Sequence, residues 1–191
     1  SDLVDTDSLR RIDNLRLSRQ EYGLPSDSIV FCCFNDSSKI DRLLFSSWME
    51  ILRELPDSVL WLSPINRLAR EALVNKANEH GIDPTRLIFA ERMDLAQHIN
   101  RLRLADVALD TCLYNGGTTT SNALAAGVPV VTILGDRFAS RMSASMLSAM
   151  GMPELVAADL QDYANLATTL ARRPDWMTEL RARLKRNRQT S

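Results

Sequence analysis

The sequence is poor in the residues that mark several classes of protein. It has three cysteines and two histidines among 191 residues, and no Cys-x-x-Cys or His–Cys spacing predicts a zinc site. Cys32 and Cys33 are adjacent in an apolar run, so we expect their side chains on opposite faces of one strand, as buried free thiols of a reducing compartment. No apolar run approaches the ~20 residues that a membrane-spanning helix needs.

An excess of charge of one sign is missing as well. Lysines and arginines number 23 and aspartates and glutamates 24, which gives a formal net charge of −1. No overall field therefore draws the chain to nucleic acid or to an anionic membrane. The start of the sequence lacks the basic residues and the apolar core of a signal peptide. From these absences we predict a cytoplasmic protein with neither a nucleic-acid nor a membrane partner.

The composition that is present is typical of a folded domain. Hydrophobic residues make up 45% of the chain and charged residues 25%, a balance that argues against disorder. A chain of this length can bury one good core and is too short for two large domains. The polar stretch before Gly23 predicts an N-terminal arm at residues 1–22, which leaves residues 23–191 as a single lobe.

Short apolar runs alternate with amphipathic stretches along the chain. Strands are predicted at 29–34, 59–62, 87–90, 107–109, 130–133 and, more briefly, 155–156. Helices are predicted near 41–54, 67–80, 95–102, 118–126, 139–150, 160–171 and 176–188. Continuously apolar strands between helices predict a three-layer, Rossmann-like α/β domain with a mainly parallel sheet. Ligands bind such sheets beyond the carboxyl ends of the strands, so we expect a site at residues 35–39, 91–95, 110–120 and 134–141.

The stretch NGGTTTSN at 115–122 follows a predicted strand and opens a predicted helix. Gly116 and Gly117 permit positive φ and a close approach of a ligand to the backbone. The amides that follow lie at a helix N-terminus, where anions are favoured, and Thr118 and Thr119 add hydroxyl donors. The stretch therefore predicts a diphosphate-binding loop, while a plain glycine turn with a threonine N-cap explains it equally well. Neither a Walker loop nor a GxGxxG motif is present.

Two further segments contain side chains suited to an anionic ligand. Lys39 lies beyond the first strand, where it could offset charge on a leaving diphosphate; an exposed surface lysine is the alternative. His98 is followed one helical turn later by Arg101, on the same face, although a lone histidine on a helix is usually structural. No paired carboxylate, Ser-His-Asp order or metal-binding cluster stands out, so we expect no metal or other cofactor.

Several segments together resemble the O-linked N-acetylglucosamine transferase family, which includes SPINDLY-like proteins, in the C-terminal lobe of its catalytic region. They occur in family order and with family-like spacing, from about Gly23 onward. The segments are IVFCCFNDSSKID at 29–41, SVLWL at 58–62, LADVALDTCLYNGGTT at 104–119, AGVPVVT at 126–132 and ASRMSAS at 139–145. The resemblance implies the donor-binding lobe of a GT-B glycosyltransferase that uses UDP-N-acetylglucosamine and modifies serine or threonine of a protein or peptide acceptor.

The resemblance also implies roles for residues that bind the donor diphosphate. Lys39 matches the lysine that holds the diphosphate and assists its departure, which makes it the candidate catalytic residue. Thr118 and Thr119 match the phosphate-binding threonines. Asn35 and Asp36 fall in the donor-binding segment that leads to this lysine.

For the nucleoside, the resemblance places His98 beside the uridine and Arg101 near the uracil. Met93 matches a residue that contacts the base through its backbone. Asn122 stands at the position of a ribose-binding aspartate. The resemblance further implies an N-terminal catalytic lobe and tetratricopeptide-type helical repeats in cis, so the chain is expected to be part of a longer protein.

Four positions depart from the family pattern. Asp36 stands where an amide is usual, Asn122 replaces the aspartate, Leu95 stands where some relatives have lysine, and Gly117 where some have histidine. A carboxylate at position 36 would repel a diphosphate. Two alternatives therefore remain beside an N-acetylglucosaminyltransferase: a related transferase with another sugar donor or acceptor, and a non-catalytic module for nucleotide binding or protein interaction.

Overall fold

The computed structural model describes residues 17–188, apart from the side chain of the last of them. Its sheet has six strands that pair in parallel in the order β3-β2-β1-β4-β5-β6. The strands are β1 Ile29–Cys33, β2 Ser58–Leu62, β3 Leu87–Phe89, β4 Val107–Leu109, β5 Val130–Ile133 and β6 Val156–Ala157. The predicted Rossmann-like α/β architecture with a parallel sheet is confirmed.

Helices cover the two faces of this sheet. The α-helices are α1 Arg42–Glu54, α2 Arg67–Glu79, α3 Leu95–Leu102, α4 Thr118–Ala125, α5 Met142–Ala149, α6 Leu160–Arg172 and α7 Pro174–Arg188. Short 3₁₀ turns lie at Arg19–Tyr22, Ser37–Lys39, Pro84–Arg86, Phe138–Ser140 and Pro153–Leu155. Because both faces are covered, the adjacent thiols of Cys32 and Cys33 are both buried, as the apolar run predicts.

Local signals explain where individual helices begin and end. The Asp41 carboxylate accepts from the amides of Leu43 and Leu44 at 2.9 and 3.0 Å and so fixes the start of α1. From there the helix packs Trp48 and other apolar side chains into the core. The chain leaves α2 through Gly81, whose φ of +71° is readily adopted only by glycine.

One predicted helix, at 139–150, is shorter in the structure. A 3₁₀ turn occupies Phe138–Ser140, and α5 begins only at Met142. The Ser140 hydroxyl donates to the Arg137 carbonyl at 3.0 Å and accepts from the Arg137 amide at 3.2 Å. Such serine-to-backbone bonds compete with helical ones, which is why an amphipathic pattern overestimated this helix.

The strand order creates a switch point in the sheet. The chain moves outward from β1 to β3 and then returns to the other side of β1, where β4 pairs in parallel through Phe31↔Val107 and Cys32↔Ala108. The segments that follow β1 and β4 therefore lead away from each other. This leaves a crevice between them at the carboxyl ends of the two strands. Those segments contain Lys39 and the NGGTTTSN stretch.

Part of the predicted N-terminal arm packs against the lobe. Arg19 donates to the Leu104 carbonyl at 3.0 and 3.2 Å and pairs with Asp106 at 2.9 Å, and the Tyr22 ring lies 6.0 Å from that of Trp61. The rest of the arm, residues 1–16, lies outside the described residues, so the boundary at residue 22 stays a prediction. Among residues 17–188, no helix is both long and apolar enough to cross a membrane.

Candidate functional site

A buried carboxylate at the end of β4 organises the crevice. Asp110 is 3% exposed. Its Oδ1 accepts from the Gly116 amide at 2.8 Å and from Asn35 Nδ2 at 3.1 Å, and its Oδ2 accepts from the Thr132 hydroxyl at 2.8 Å. Burial raises the pKa of this carboxyl group, and the hydrogen bonds it accepts act in the opposite direction. Asp110 thus connects the ends of β1, β4 and β5.

Asn35 joins the segment after β1 to the segment after β4. Its Nδ2 donates to Asp110 and, at 2.8 Å, to the Thr111 hydroxyl, while its Oδ1 accepts from the Thr119 hydroxyl. The side chain is 4% exposed. Because the amide groups are already bonded inside the protein, Asn35 orients the binding loop and offers little surface to a ligand.

Two residues with no predicted role, Asn115 and Ser143, stabilise the loop before α4. Asn115 Nδ2 donates to the Thr111 carbonyl at 2.8 Å, and Asn115 Oδ1 accepts from the Ser143 amide at 3.3 Å. The Ser143 hydroxyl donates to the Gly116 carbonyl at 3.3 Å and lies 2.8 Å from the Thr120 hydroxyl. These side chains, with Asp110 and Asn35, form a polar network in which α5 supports the start of α4.

The two glycines serve close packing. Neither Gly116 nor Gly117 has a positive φ, so the loop does not use the positive φ that these glycines permit. A Cβ on Gly116 would lie 2.5 Å from Asn35 Oδ1 and closer still to the Thr119 hydroxyl, and only glycine fits there. Gly117 is the N-cap of α4, and no side chain caps this helix. The threonine N-cap alternative is therefore wrong, and the first turn of α4 faces the crevice without a capping side chain.

Lys39 reaches the same loop from the other side of the crevice. It ends the 3₁₀ turn after β1, and its Nζ donates to the Asn115 carbonyl at 3.2 Å. The ammonium also lies 4.3 Å from the centre of the Tyr114 ring. The structure thus brings Lys39 to the loop that precedes α4, the helix whose first turn contains Thr118 and Thr119, as predicted from their positions after parallel strands.

Thr118, Thr119 and Asn122 lie on α4. The Thr118 side chain is exposed, and that of Thr119 is half-buried through its bond to Asn35. Asn122 is half-buried and lies four residues after Thr118, so the two side chains share a helix face. Among residues 17–188, no hydrogen bond joins the Asn122 side chain to another predicted site residue.

The remaining predicted residues line a second cleft next to the first. Asp36, Met93, His98 and Arg101 all border it. The cleft, called the His98 cleft below, is lined by Phe34, Asp36, Ser63, Pro64, Arg92, Met93, His98 and Arg101. It adjoins the polar network because Phe34, Asn35 and Asp36 are consecutive.

His98 is held in one protonation state within this cleft. Its Nδ1 accepts from Arg101 Nε at 3.2 Å and lies 3.1 Å from Arg101 Nη2. Burial, followed by the charge of Arg101, lowers the imidazole pKa to about 4. The ring is therefore neutral at physiological pH, and with Nδ1 accepting, we assign the proton to Nε2 as a donor for a ligand.

Arg101 lies behind His98 in the protein. It is 2% exposed, donates to the Glu91 carbonyl at 2.7 Å and stacks 5.0 Å from the centre of the Phe34 ring. Its contacts orient the imidazole, and the buried guanidinium leaves little surface for direct contact with a base.

Asp36 is an exposed residue at the border of the His98 cleft. Its carboxylate accepts from the Ser38 amide at 2.9 Å and caps the turn that leads to Lys39. Hydrogen bonds from Ser38, and then the charge of Lys39, lower the pKa of Asp36. The exposed group is consequently ionised at neutral pH.

Comparison with known proteins gives one consistent family. The model of Glycosyl transferase family 41 matches residues 10–191. A UDP-N-acetylglucosamine--peptide N-acetylglucosaminyltransferase of Caenorhabditis elegans is 41% identical over 170 residues, which is 89% of this chain and 15% of that protein. The probable transferase SEC of Arabidopsis thaliana is 34% identical over 178 residues, 93% of this chain and 18% of that protein.

The solved structures agree in fold. A mutant of the O-GlcNAc transferase of Thermobaculum terrenum superposes with a TM-score of 0.82 at 31% identity, over 87% of this chain and 34% of that one. Sucrose-phosphate synthase of Thermosynechococcus elongatus, at 18% identity and a TM-score of 0.69, shares the fold over 90% of this chain and 43% of its own. The chain spans less than a fifth of the two curated relatives. With a family model matched along nearly its whole length, the chain belongs to glycosyl transferase family 41.

Proposed function

We propose that this chain binds the UDP part of a UDP-sugar, with UDP-N-acetylglucosamine as the donor, and forms the donor lobe of a protein O-glycosyltransferase. The observation that carries the proposal is the meeting of the Lys39 ammonium with the loop that opens α4, at the switch point of the sheet. The names of the relatives, which are UDP-N-acetylglucosamine--peptide N-acetylglucosaminyltransferases, support this donor and a peptide acceptor.

The diphosphate would bind between Lys39 and the first turn of α4. A helix N-terminus offers unpaired amides and a favourable dipole to an anion. The exposed Thr118 hydroxyl adds a donor. The Thr119 hydroxyl donates its one proton to Asn35, so its part is to hold the first turn of α4 in place. The polar network fixes these groups before a ligand arrives, so binding does not have to order the loop.

The nucleoside would extend into the adjoining His98 cleft. A neutral imidazole with a proton on Nε2 can donate to a uridine oxygen, and Arg101 holds it there. The backbone beside Met93 borders the same cleft, where its amide and carbonyl can pair with the uracil edge. Asn122, one turn along α4 from Thr118, is assigned to the ribose.

Sugar transfer would leave a growing negative charge on the departing diphosphate. We assign Lys39 and the α4 amides to the stabilisation of that charge, which increases towards the transition state. The donor lobe would then work with neither a metal nor another cofactor. The acceptor hydroxyl, a second catalytic lobe and helical repeats would come from the longer protein, and buried free thiols fit a cytoplasmic location.

The first test is calorimetry of the chain with UDP and with uridine. We expect weak, measurable UDP binding that Lys39→Ala weakens about 10-fold, because a charge-assisted hydrogen bond contributes ~1.5 kcal/mol. Uridine binding should be unaffected by the substitution. Lys76→Ala is the control, since Lys76 is exposed and pairs with Glu79. No UDP binding by the unaltered chain at millimolar ligand, or an equal loss for uridine, would contradict the assignment.

A second test addresses the non-catalytic alternative, which Asp36 favours. Asp36→Asn should tighten UDP binding about 3- to 5-fold, because each charge ~6 Å away in water contributes about 0.7 kcal/mol of repulsion before screening. Asparagine caps as well as aspartate does, so the turn should persist.

Asp83→Asn is the matched control for this second test. Asp83 also caps a 3₁₀ turn, accepting from the Thr85 amide at 2.9 Å, but it does so before β3, at the opposite edge of the sheet. Its substitution should leave UDP affinity unchanged. If Asp36→Asn does not tighten binding at low salt, repulsion at this position is not what limits the site.

A further inference from the structure

Tyr114 has an exposed aromatic ring at the candidate site and no predicted role. Its side chain is 53% exposed. The Lys39 Nζ lies 4.3 Å from the ring centre and donates to the carbonyl of the next residue, Asn115, at 3.2 Å. The ring and the carbonyl therefore hold one ammonium group from two sides.

The backbone that carries the ring is itself fixed. The Thr111 hydroxyl donates to the Tyr114 carbonyl at 2.6 Å, and the Asn115 amide donates to the Ala139 carbonyl at 2.8 Å. These bonds fix the backbone from which the ring extends. A long, flexible lysine side chain would otherwise sample many rotamers, and a ligand that needs it in one place would bear the cost of ordering it.

We propose that Tyr114 is a positioning residue that holds the Lys39 ammonium beside the loop before a diphosphate binds. The ring attracts the cation through its π face, and an ammonium has three N–H donors, so the ring and the Asn115 carbonyl leave donor capacity for a phosphate oxygen. The inference rests on the proposed diphosphate role of Lys39. It predicts that a ring is needed at position 114 and that the tyrosine hydroxyl is not.

The position of Lys39 can be tested without ligand. The sequence contains only three lysines, Lys39, Lys76 and Lys185, so a chain labelled with ¹³C-lysine gives few side-chain NMR signals. Ring current should shift the Lys39 ε-methylene protons upfield from the other two. The shift should persist in Tyr114→Phe and vanish in Tyr114→Leu, with Lys39→Arg identifying the signal. An unshifted Lys39 signal in the unaltered chain would overturn the proposal.

The consequence for binding is tested by a double-mutant cycle. Tyr114→Leu should weaken UDP binding about 2- to 5-fold, as expected for an exposed cation–π contact, and Tyr114→Phe should not. In a Lys39→Ala background, Tyr114→Leu should have no further effect. If Tyr114→Leu still weakens UDP binding in the Lys39→Ala background, the ring contacts the ligand directly. That result would overturn the positioning role. Absence of UDP binding by the unaltered chain would contradict the proposed function, while the NMR result would still decide whether Tyr114 places Lys39.

Discussion

Replacement of Asp110 by alanine is expected to lower the free energy of unfolding by about 3–4 kcal/mol and to abolish UDP binding. The substitution leaves three buried donors without their acceptor, and each unsatisfied group costs about 1–3 kcal/mol. Those donors are the Gly116 amide, Asn35 Nδ2 and the Thr132 hydroxyl. Denaturant unfolding and calorimetry measure the two effects. A decrease of less than about 1 kcal/mol in the free energy of unfolding would mean that the polar network does not depend on this carboxylate.

Asp110→Asn separates the charge of this residue from its shape. The amide oxygen can still accept from Gly116, and the Thr132 hydroxyl can reorient to accept, so the cost should stay below about 1.5 kcal/mol. Because burial raises the pKa of Asp110, the folded chain keeps this proton to higher pH than the unfolded chain does. The stability that Asp110 contributes through this proton is therefore fully present at pH values below its pKa in the unfolded chain. It declines as the pH rises through the pKa of Asp110 in the folded chain. The asparagine variant should lack this decline.

Gly116→Ala is expected to reduce UDP affinity at least 10-fold and to lower stability by about 2–3 kcal/mol, the range typical of overpacking a tight interior. The new Cβ would lie 2.5 Å from Asn35 Oδ1 and 3.0 Å from the Thr120 hydroxyl. To make room, Asn35 and Thr119 would have to separate, which breaks the bond between the two loops.

Gly117→Ala is the neighbouring control. A Cβ there would meet only the end of the flexible Met142 side chain, at 3.1 Å, and the φ of −76° suits any residue. Its effect on stability should remain below about 1 kcal/mol. Equal losses of UDP affinity and of stability in the two variants would contradict this. They would mean that the loop requires the flexibility of the glycine pair rather than the close approach at Gly116.

The strands, their parallel order and the location of the crevice follow from the sequence because they depend on local patterns. Apolar runs mark buried strands, and parallel strands bring their following loops to one edge. That reasoning suffices to bring Lys39 and Thr119 to the same edge of the sheet. It also places His98 and Arg101 together, since three-residue spacing on a helix is a local property.

The polar network could not be predicted in the same way. Asn115 and Ser143 are 28 residues apart, and no periodicity encodes a hydrogen bond between the first turn of one helix and the loop before another. Asp110 could be seen only as the residue that ends a strand. Nor does local sequence show burial, so it could not indicate that Arg101 is almost fully buried and bonded to His98. Glycine pairs are equally ambiguous, because sequence does not distinguish a need for positive φ from a need for space.

The bond between Asn35 and Asp110 joins residues 75 positions apart. Closing so long a loop costs entropy before the contact returns any energy, and such contacts form late during folding. A chain that has built only β1 to β3 already contains Lys39 but has no partner for Asn35. Under the proposed function, affinity for UDP therefore requires the completed sheet, and a bound donor would shift the folding equilibrium towards the folded chain.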